Sequence, residues 1–220
     1  FREELSIVML KRCISKRVPL DSFCSSELSR KTGFTLIELL LTVLVLSVVL
    51  SIGIPSFKGT IQNARLTAQT NETIGTIALA RSEASKRPNT TITLCASTNT
   101  TSANPACNSS AWENGWFMMS DVDADRTFDP ATDQVLRVYE PLAGDNTLRT
   151  VGFTNSDFLQ FDSTGIPDSA GTFIICDDRG DKKAKAIALS VIGHARIAVD
   201  EGVTLDGIVN NHLGVNVSCP

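Results

Sequence analysis

Histidine is scarce in this chain, and the residue patterns that mark common active sites are missing. The 220 residues include only two histidines, and no C-x-x-C pair occurs, so the usual zinc-binding spacings are absent. The sequence also has no G-x-S-x-G motif, no H-E-x-x-H motif and no glycine-rich phosphate-binding loop. These absences argue against a hydrolase, a zinc enzyme and a nucleotide-binding enzyme. We therefore expect a protein that is not an enzyme and that carries no cofactor.

The most informative stretch runs from Lys31 to Pro55 and is mostly apolar. About twenty such residues in a helix are enough to cross a hydrocarbon core about 30 Å thick. A carboxylate within such a run is costly in lipid, so Glu38 indicates a function and needs a partner. The stretch therefore predicts a membrane helix with one functional acidic residue near its start.

The motif K-T-G-F-T-L-I-E at the start of this stretch resembles the processing site of type IV prepilins. The resemblance implies that residues 1–33 are a leader, that a membrane prepilin peptidase cuts between Gly33 and Phe34, and that the new N-terminus at Phe34 is methylated. Glu38 would then neutralise the N-terminus of an adjacent subunit during filament assembly. The alternatives are a secretory signal peptide, which has a shorter apolar core followed by its cut, and a plain membrane anchor, which leaves Glu38 unexplained.

Charge is divided unevenly along the chain. Residues 1–33 hold seven Lys and Arg against four Asp and Glu, a net charge of +3, so the remainder, with 13 against 20, has a net charge of −7. Basic flanks of membrane helices stay in the cytoplasm. We therefore expect a bacterial inner-membrane protein with a single pass, a cytoplasmic leader and a periplasmic head, which is later extracted into a pilus filament or its tip.

The six cysteines follow the same division. Two lie in the leader, where the cytoplasm keeps thiols reduced, and four lie in the part expected outside, where disulfides form. The leader pair is Cys13 and Cys24, and the outer four are Cys95, Cys107, Cys176 and Cys219. Four cysteines allow three connectivities. Proximity in sequence favours pairing the first two of these and, by remainder, the last two.

From residue 34 onward the pattern predicts one long helix, from about Thr35 to Lys86, followed by a β-rich head. Residues 34–54 form the transmembrane or filament-core half of the helix, and residues 55–87 form the exposed half, which packs on the head. Pro55 is expected to kink the helix or interrupt its hydrogen bonds without ending it. An apolar stripe with four-three-four spacing predicts the face of the second half. The stripe is Phe57, Ile61, Ala64 and Ala68, and it resumes with Ile74, Ile77, Ala78 and Ala84.

Residues 88–220 read as a disulfide-stapled head of mostly antiparallel β-structure, so the fold class is α+β. The period changes after Pro88 from helical to alternating, and short apolar runs are separated by polar or glycine-bearing turns. The predicted strands are Thr91–Cys95, Trp116–Ser120, Gln134–Tyr139, Phe158–Phe161, Thr172–Cys176, Ala184–Leu189 and His194–Val199.

Sequence motifs in the head restrict the resemblance to one branch of the pilin family. The run ARSEASKRPNTTITLC, the motif W-E-N-G-W followed by D-V-D-A-D, and the segments FDSTG, GTFIIC and ALSVIGHAR are similar to the minor pilins of the FimT and FimU type and the related pseudopilin H. The resemblance implies a structural subunit that primes or caps assembly of a type IV pilus, with other minor and major pilins and the assembly platform as partners. One alternative is pseudopilin H of a type II secretion system, whose head generally lacks disulfides. Another is a DNA-binding tip subunit for natural transformation.

The DNA-binding alternative depends on a basic motif. Some FimT-like proteins are associated with DNA uptake through a G-R-x-R motif, whereas this chain has G-H-A-R at residues 193–196. The net charge of −7 beyond the leader and the acidic neighbours in the same region oppose binding to phosphates. We therefore do not expect DNA as the main partner. The candidate DNA-binding residues are Lys182, Lys183, Lys185 and Arg196.

An acidic run after the second predicted strand begins like a calcium loop. A calcium loop of the EF-hand kind needs glycine at the sixth place and glutamate at the twelfth, where this sequence has Arg126 and Thr132. Aspartate also favours ordinary turns, so no metal is expected. The residues that could hold one are Asp121, Asp123, Asp125 and Asp129.

Overall fold

The computed structural model describes residues 33–201 and 205–220, without the side chains of residues 52–56. Most of the predicted leader, with Cys13 and Cys24, lies outside the described residues. The contacts divide the chain into two units, Phe1–Val49 and Leu50–Pro220. The head and the C-terminal part of the helix belong to the second unit.

Helix α1 spans Leu36–Lys86, 51 residues, and continues through Pro55. The hydroxyl oxygen of Thr35 accepts the backbone N–H of Glu38 at 3.2 Å, which caps the N-terminus. Glu38 in the first turn and Lys86 in the last turn both have the charge that the helix dipole favours. The N-terminal cap and the terminal charges therefore agree with the predicted helix.

The first half of α1 exposes apolar side chains along its length. The large apolar residues between Leu36 and Leu50 are 48–76% exposed. Among the residues that the structure describes, no helical stretch is both long enough and apolar enough to cross a membrane. The membrane span over residues 34–54 therefore stays a prediction.

The second half of α1 packs on the head through a face that includes Ile77 and Ala84 of the predicted stripe but not the first part of that stripe. Phe57 and Ile61 are exposed, at 67% and 46%, and Ala64 and Ala68 are exposed too, so the first part of the predicted stripe does not face the core. Threonines can be buried on the helix face that meets the head because their hydroxyls donate to helix carbonyls four residues earlier, at 2.7–2.9 Å. The buried face is Leu66, Gln69, Thr70, Thr73, Thr76, Ile77, Ala80 and Ala84.

Within residues 33–201 and 205–220 there are eight strands: β1 Thr91–Ala96, β2 Trp116–Asp121, β3 Gln134–Tyr139, β4 Thr147–Val151, β5 Phe158–Phe161, β6 Gly171–Cys176, β7 Lys185–Leu189 and β8 Ala195–Ile197. Seven strands lie where alternation predicted them, within one or two residues. Strand β4 was not predicted because it holds Arg149 and two threonines and buries only Leu148. These strands form two antiparallel four-stranded sheets, with orders β3-β2-β1-β5 and β4-β6-β7-β8. The observed architecture is the predicted α+β fold.

One main core joins α1 to both sheets. Ile77, Ala80 and Ala84 of the helix belong to the same buried cluster as residues of the first sheet, such as Phe161, and of the second sheet, such as Phe173. Trp112 meets the Phe173 ring edge-on with centroids 5.2 Å apart, and its indole N–H donates to the carbonyl of Ser156 at 2.7 Å. The tryptophans therefore act as anchors of the core.

Each sheet buries a smaller cluster on its other face, and a disulfide lies at each. Cys95 pairs with Cys107 beside Phe117 and Phe158 of the first sheet. Cys176 pairs with Cys219 beside the outer cluster of the second sheet, and so ties the C-terminal segment to β6. This connectivity is the one that proximity in sequence favours. The disulfides thus stabilise the outer faces of the sheets, where few apolar residues are available.

Candidate functional site

The predicted cleavage site lies in extended chain just before α1. Residues 33–35 are not helical, and Gly33 and Phe34 are exposed, with Phe34 at 82%. A side chain at Gly33 would contact no other atom within 4 Å. The peptide bond between these residues is therefore accessible to an enzyme.

Glu38 is exposed in the first turn of α1, surrounded by apolar side chains. Within the part of the chain that the structure describes, its carboxylate has no hydrogen bond or ion pair. The nearby hydroxyls of Thr42 and Ser47 donate to the helix carbonyls of Leu39 and Leu44 instead. Glu38 is thus the unpaired polar group on this apolar surface, and it is available to a partner outside the described residues.

The acidic run forms a cluster whose membership differs from the predicted set. Carboxylate oxygens of Asp121, Asp123 and Asp133 lie within 4.8 Å of one another. Asp125 and Asp129 are not in this group, because each accepts a backbone N–H two residues ahead and so caps a local turn. Asp133 stands one residue before β3, and EF-hand spacing does not indicate it.

Asp121 is the buried member of this cluster. One of its oxygens, Oδ2, accepts hydrogen bonds from the Thr93 hydroxyl at 2.9 Å, the Arg126 backbone N–H at 3.0 Å and the Gln160 amide at 3.3 Å. The other oxygen, Oδ1, is buried and has no hydrogen-bond partner among the described residues. Burial raises the pKa of Asp121, and the charge of Asp133 also raises it, while the hydrogen bonds from Thr93 and from the Arg126 backbone N–H act in the opposite direction.

The basic candidates do not form one surface. Lys182 and Lys183 lie in a 3₁₀ turn, Lys185 begins β7, and Arg196 in β8 pairs with Ala188. Lys185 and Ala188 differ by three residues, so strand alternation places Lys185 and Arg196 on opposite faces of the sheet. Arg196 forms an ion pair with Glu201 at 2.9 Å.

The turn after β6 contacts the helix through charged residues that sequence analysis treated only as acidic neighbours. Arg179 bonds the Asp177 carboxylate at 2.6 Å and the Asn63 side chain at 2.8 Å. Lys58 of the helix pairs with Asp178 at 3.4 Å. Burial alone would raise the pKa of Asp177, but hydrogen bonds from Arg179 and its charge hold that pKa below the ordinary value. The turn is therefore fixed to the helix.

A groove of about 790 Å³ opens beside β8. His212 within it lies 3.0 Å from the Thr172 hydroxyl oxygen through Nδ1. Among the described residues, no carboxylate hydrogen-bonds to either histidine ring, so the groove lacks the acid–histidine arrangement of a nucleophilic site. Its apolar and basic lining includes Val191, Ile192, Leu213, His194, Arg196 and His212.

Two family models match the chain. The model described as type II transport protein GspH matches residues 69–193, which is more than half of the sequence. The model of the prokaryotic N-terminal methylation motif matches residues 28–54. No curated protein matches.

Two solved structures, both of the type IV minor pilin FimU of Pseudomonas aeruginosa in different crystal forms, are similar to the chain at 18% identity. The match to the first structure covers 63% of this chain and 91% of the FimU chain, with a TM-score of 0.48. The second covers 60% of this chain and 92% of its own, with a TM-score of 0.45.

Proposed function

Because this chain belongs to the GspH family, we propose that it is a minor pilin, a structural subunit that helps to prime or cap assembly of a type IV pilus. A prepilin peptidase removes the leader between Gly33 and Phe34 and the new N-terminus is methylated. The chain is then held in the inner membrane by residues 34–54 and extracted into the filament. Other pilins and the assembly platform are its partners.

The observation that carries this proposal is the apolar surface of α1. Large apolar side chains between Leu36 and Leu50 are about half exposed or more, and fully burying one such side chain stabilises by about 1.5–3 kcal/mol. The exposed stripe from Phe57 to Ala68 adds further apolar side chains on the second half of the helix. Lipid before assembly, and neighbouring helices after it, would cover these side chains.

Glu38 supplies selectivity in this surface. An unpaired carboxylate in an apolar bundle is costly, and no described residue of its own chain neutralises it. The positively charged N-terminus of an adjacent subunit, at Phe34, is the partner that the family resemblance implies. Only subunits in the correct register would bring these two groups together.

The test compares Glu38→Ala with Glu72→Ala, which removes an exposed carboxylate from the same helix. Breaking a buried pair costs about 3–5 kcal/mol, so Glu38→Ala should lower incorporation into sheared pili at least about tenfold, while cleavage and the membrane level stay normal. Glu72→Ala should behave as the unaltered chain. Immunoblots of membranes and sheared pili measure both quantities. Normal incorporation of Glu38→Ala would refute the assembly role.

A second candidate is pseudopilin H of a type II secretion system, which the description of the matched family model favours. The two disulfides of the head favour the pilus instead, since heads of that pseudopilin branch generally lack them. Deletion with complementation separates the two functions. Few surface pili with normal secretion would support a minor pilin, and normal pili with lost secretion would support the pseudopilin.

The DNA-binding alternative receives less support from the charges. A hydrogen bond from the backbone N–H of Ile208 is the main cause of the lowered pKa of Asp206, and the charge of Lys182 adds a smaller effect. The charge of Lys183 adds a smaller effect to that of Arg179, which lowers the pKa of Asp177 against the effect of burial. Arg196 is engaged by Glu201. Phosphate binding needs a segregated basic surface, so we do not propose DNA capture as the main function.

A further inference from the structure

The acidic cluster at the end of β2 contains a buried polar atom, Asp121 Oδ1, that has no hydrogen-bond partner among the described residues. Among the described residues, only Asp121 Oδ1 and Thr147 Oγ1 are buried side-chain polar atoms without a hydrogen-bond partner. Asp121 itself is 0% exposed. Buried polar groups are nearly always paired, so such an atom requires an explanation. A buried carboxylate that has one unpartnered oxygen and lies with two other carboxylates is a place for a cation.

No cation of the described chain fills this role. None of Asp121, Asp123 and Asp133 takes part in an ion pair within the described residues. Arg126, in the same loop, directs its guanidinium over the Phe158 ring at 5.0 Å and donates to the carbonyl of Asp125. The negative charge of the cluster is therefore left without a compensating side chain.

We propose that Asp121, Asp123 and Asp133 bind a calcium ion. The set offers only oxygen atoms, which hard cations prefer, and two oxygens on one calcium ion lie at most about 5 Å apart. The observed limit of 4.8 Å fits that span. Asp121 and Asp133 are already positioned by hydrogen bonds from the backbone and from Thr93, while exposed Asp123 gives the ion a path from solvent. Water can complete the coordination shell.

The ion would fix the loop between β2 and β3. Ala124 and Arg126 in this loop have positive φ values of 60° and 70°, a conformation that is costly for non-glycine residues. The loop also contacts the disulfide-closed segment through a bridge between Ala106 and Thr127. Calcium therefore stabilises the loop and the neighbouring disulfide loop together. This inference does not depend on the proposed assembly function.

Calorimetry of the full chain in detergent, after removal of metal by a chelator, tests the proposal with calcium chloride as the probe. We expect one calcium ion per chain with a Kd of about 0.1–1 mM, the range of extracellular calcium modules. Asp123→Asn is the informative variant, because Asp123 is exposed and its side chain makes no hydrogen bond to any residue that the structure describes. It should weaken binding about tenfold or more, since affinity follows the charge of the ligands.

Asp125→Asn is the matched control, because it removes an exposed carboxylate two residues away that lies outside the cluster. Its affinity should stay within about twofold of the unaltered chain if ligand charge sets the affinity. No heat up to about 10 mM calcium, well above that affinity range, would overturn the proposal. Equal affinity of Asp123→Asn and the unaltered chain would overturn it as well, because calcium would then bind elsewhere.

Limited proteolysis gives a second readout. Arg126 is exposed within the loop, so trypsin can cut after it. Calcium should slow this cut in the unaltered chain and in Asp125→Asn, but not in Asp123→Asn. Slowing of the same size in all three chains would contradict the site.

Discussion

The two disulfides should contribute unequally to the stability of the head. Replacing both cysteines of one pair with alanine opens one loop, and the two loops differ in length. Cys95 and Cys107 are separated by 12 residues, and Cys176 and Cys219 by 43. The entropy lost by the unfolded chain on closing a loop grows with its length, which predicts about 3 kcal/mol for the shorter loop and about 4 kcal/mol for the longer one.

Urea unfolding of the full chain in detergent, followed by tryptophan fluorescence, measures these losses. Trp112 and Trp116 are each 2% exposed in the main core, so their emission reports unfolding of the head as a whole. The Cys176/Cys219 variant should therefore unfold at lower urea than the Cys95/Cys107 variant. Reduction of the unaltered chain provides the control and should reproduce the loss of both pairs.

The opposite order would refute the reasoning. A larger loss from opening the shorter loop would mean that the folded-state packing of Cys95, which is fully buried beside Phe117, outweighs the entropy of the unfolded chain. No loss from the longer loop would mean that the C-terminal segment is held without its disulfide.

Two further predictions concern the turn after β6 and the cleavage site. Since Arg179 and Lys183 hold the pKa of Asp177 below its ordinary 3.8, the Asp177 carboxylate stabilises the head above about pH 4, and that stabilisation is lost as the pH falls through the lowered pKa. The Tm difference between the unaltered chain and Asp177→Asn should therefore shrink below about pH 4. A Tm difference that stays the same between pH 6 and pH 3 would contradict the idea that the charge of Asp177 causes this stabilisation. Gly33→Val should block cleavage before Phe34 without unfolding the chain, because a side chain at Gly33 meets nothing within 4 Å; a mature-sized band on an immunoblot would contradict it.

The sequence was most informative where one periodicity extends without interruption. The helix was predicted from about Thr35 to Lys86, and it runs from Leu36 to Lys86. Its buried face was predicted only in part: Ile77 and Ala84 of the predicted stripe are buried, but hydropathy does not indicate Thr70 as a core residue. Thr70 can be buried because its hydroxyl donates to a helix carbonyl. The order of strands could not be predicted, because β5 joins the sheet beside β1 after more than sixty intervening residues.

Prediction of the candidate sites from local sequence patterns was limited in the same way. Spacing indicated Asp121 and Asp123, but it also suggested Asp125 and Asp129, which cap turns instead. Asp133 joins the cluster only because the loop returns to the sheet at β3. Likewise, the lysines and Arg196 are close in sequence, and only the strand register shows that Lys185 and Arg196 face opposite sides. Contacts between residues that are far apart in the sequence are not visible in local sequence patterns.

The position of β1 determines how the head would carry mechanical load. Four residues separate the end of α1 from the start of β1, and β1 is flanked by β2 on one side and β5 on the other. A tension transmitted along the helix therefore enters the head through a central strand. Pulling that strand out would break two ladders of hydrogen bonds together. A subunit of a fibre under tension would gain from this arrangement, because both ladders would have to fail at once before the strand left the sheet.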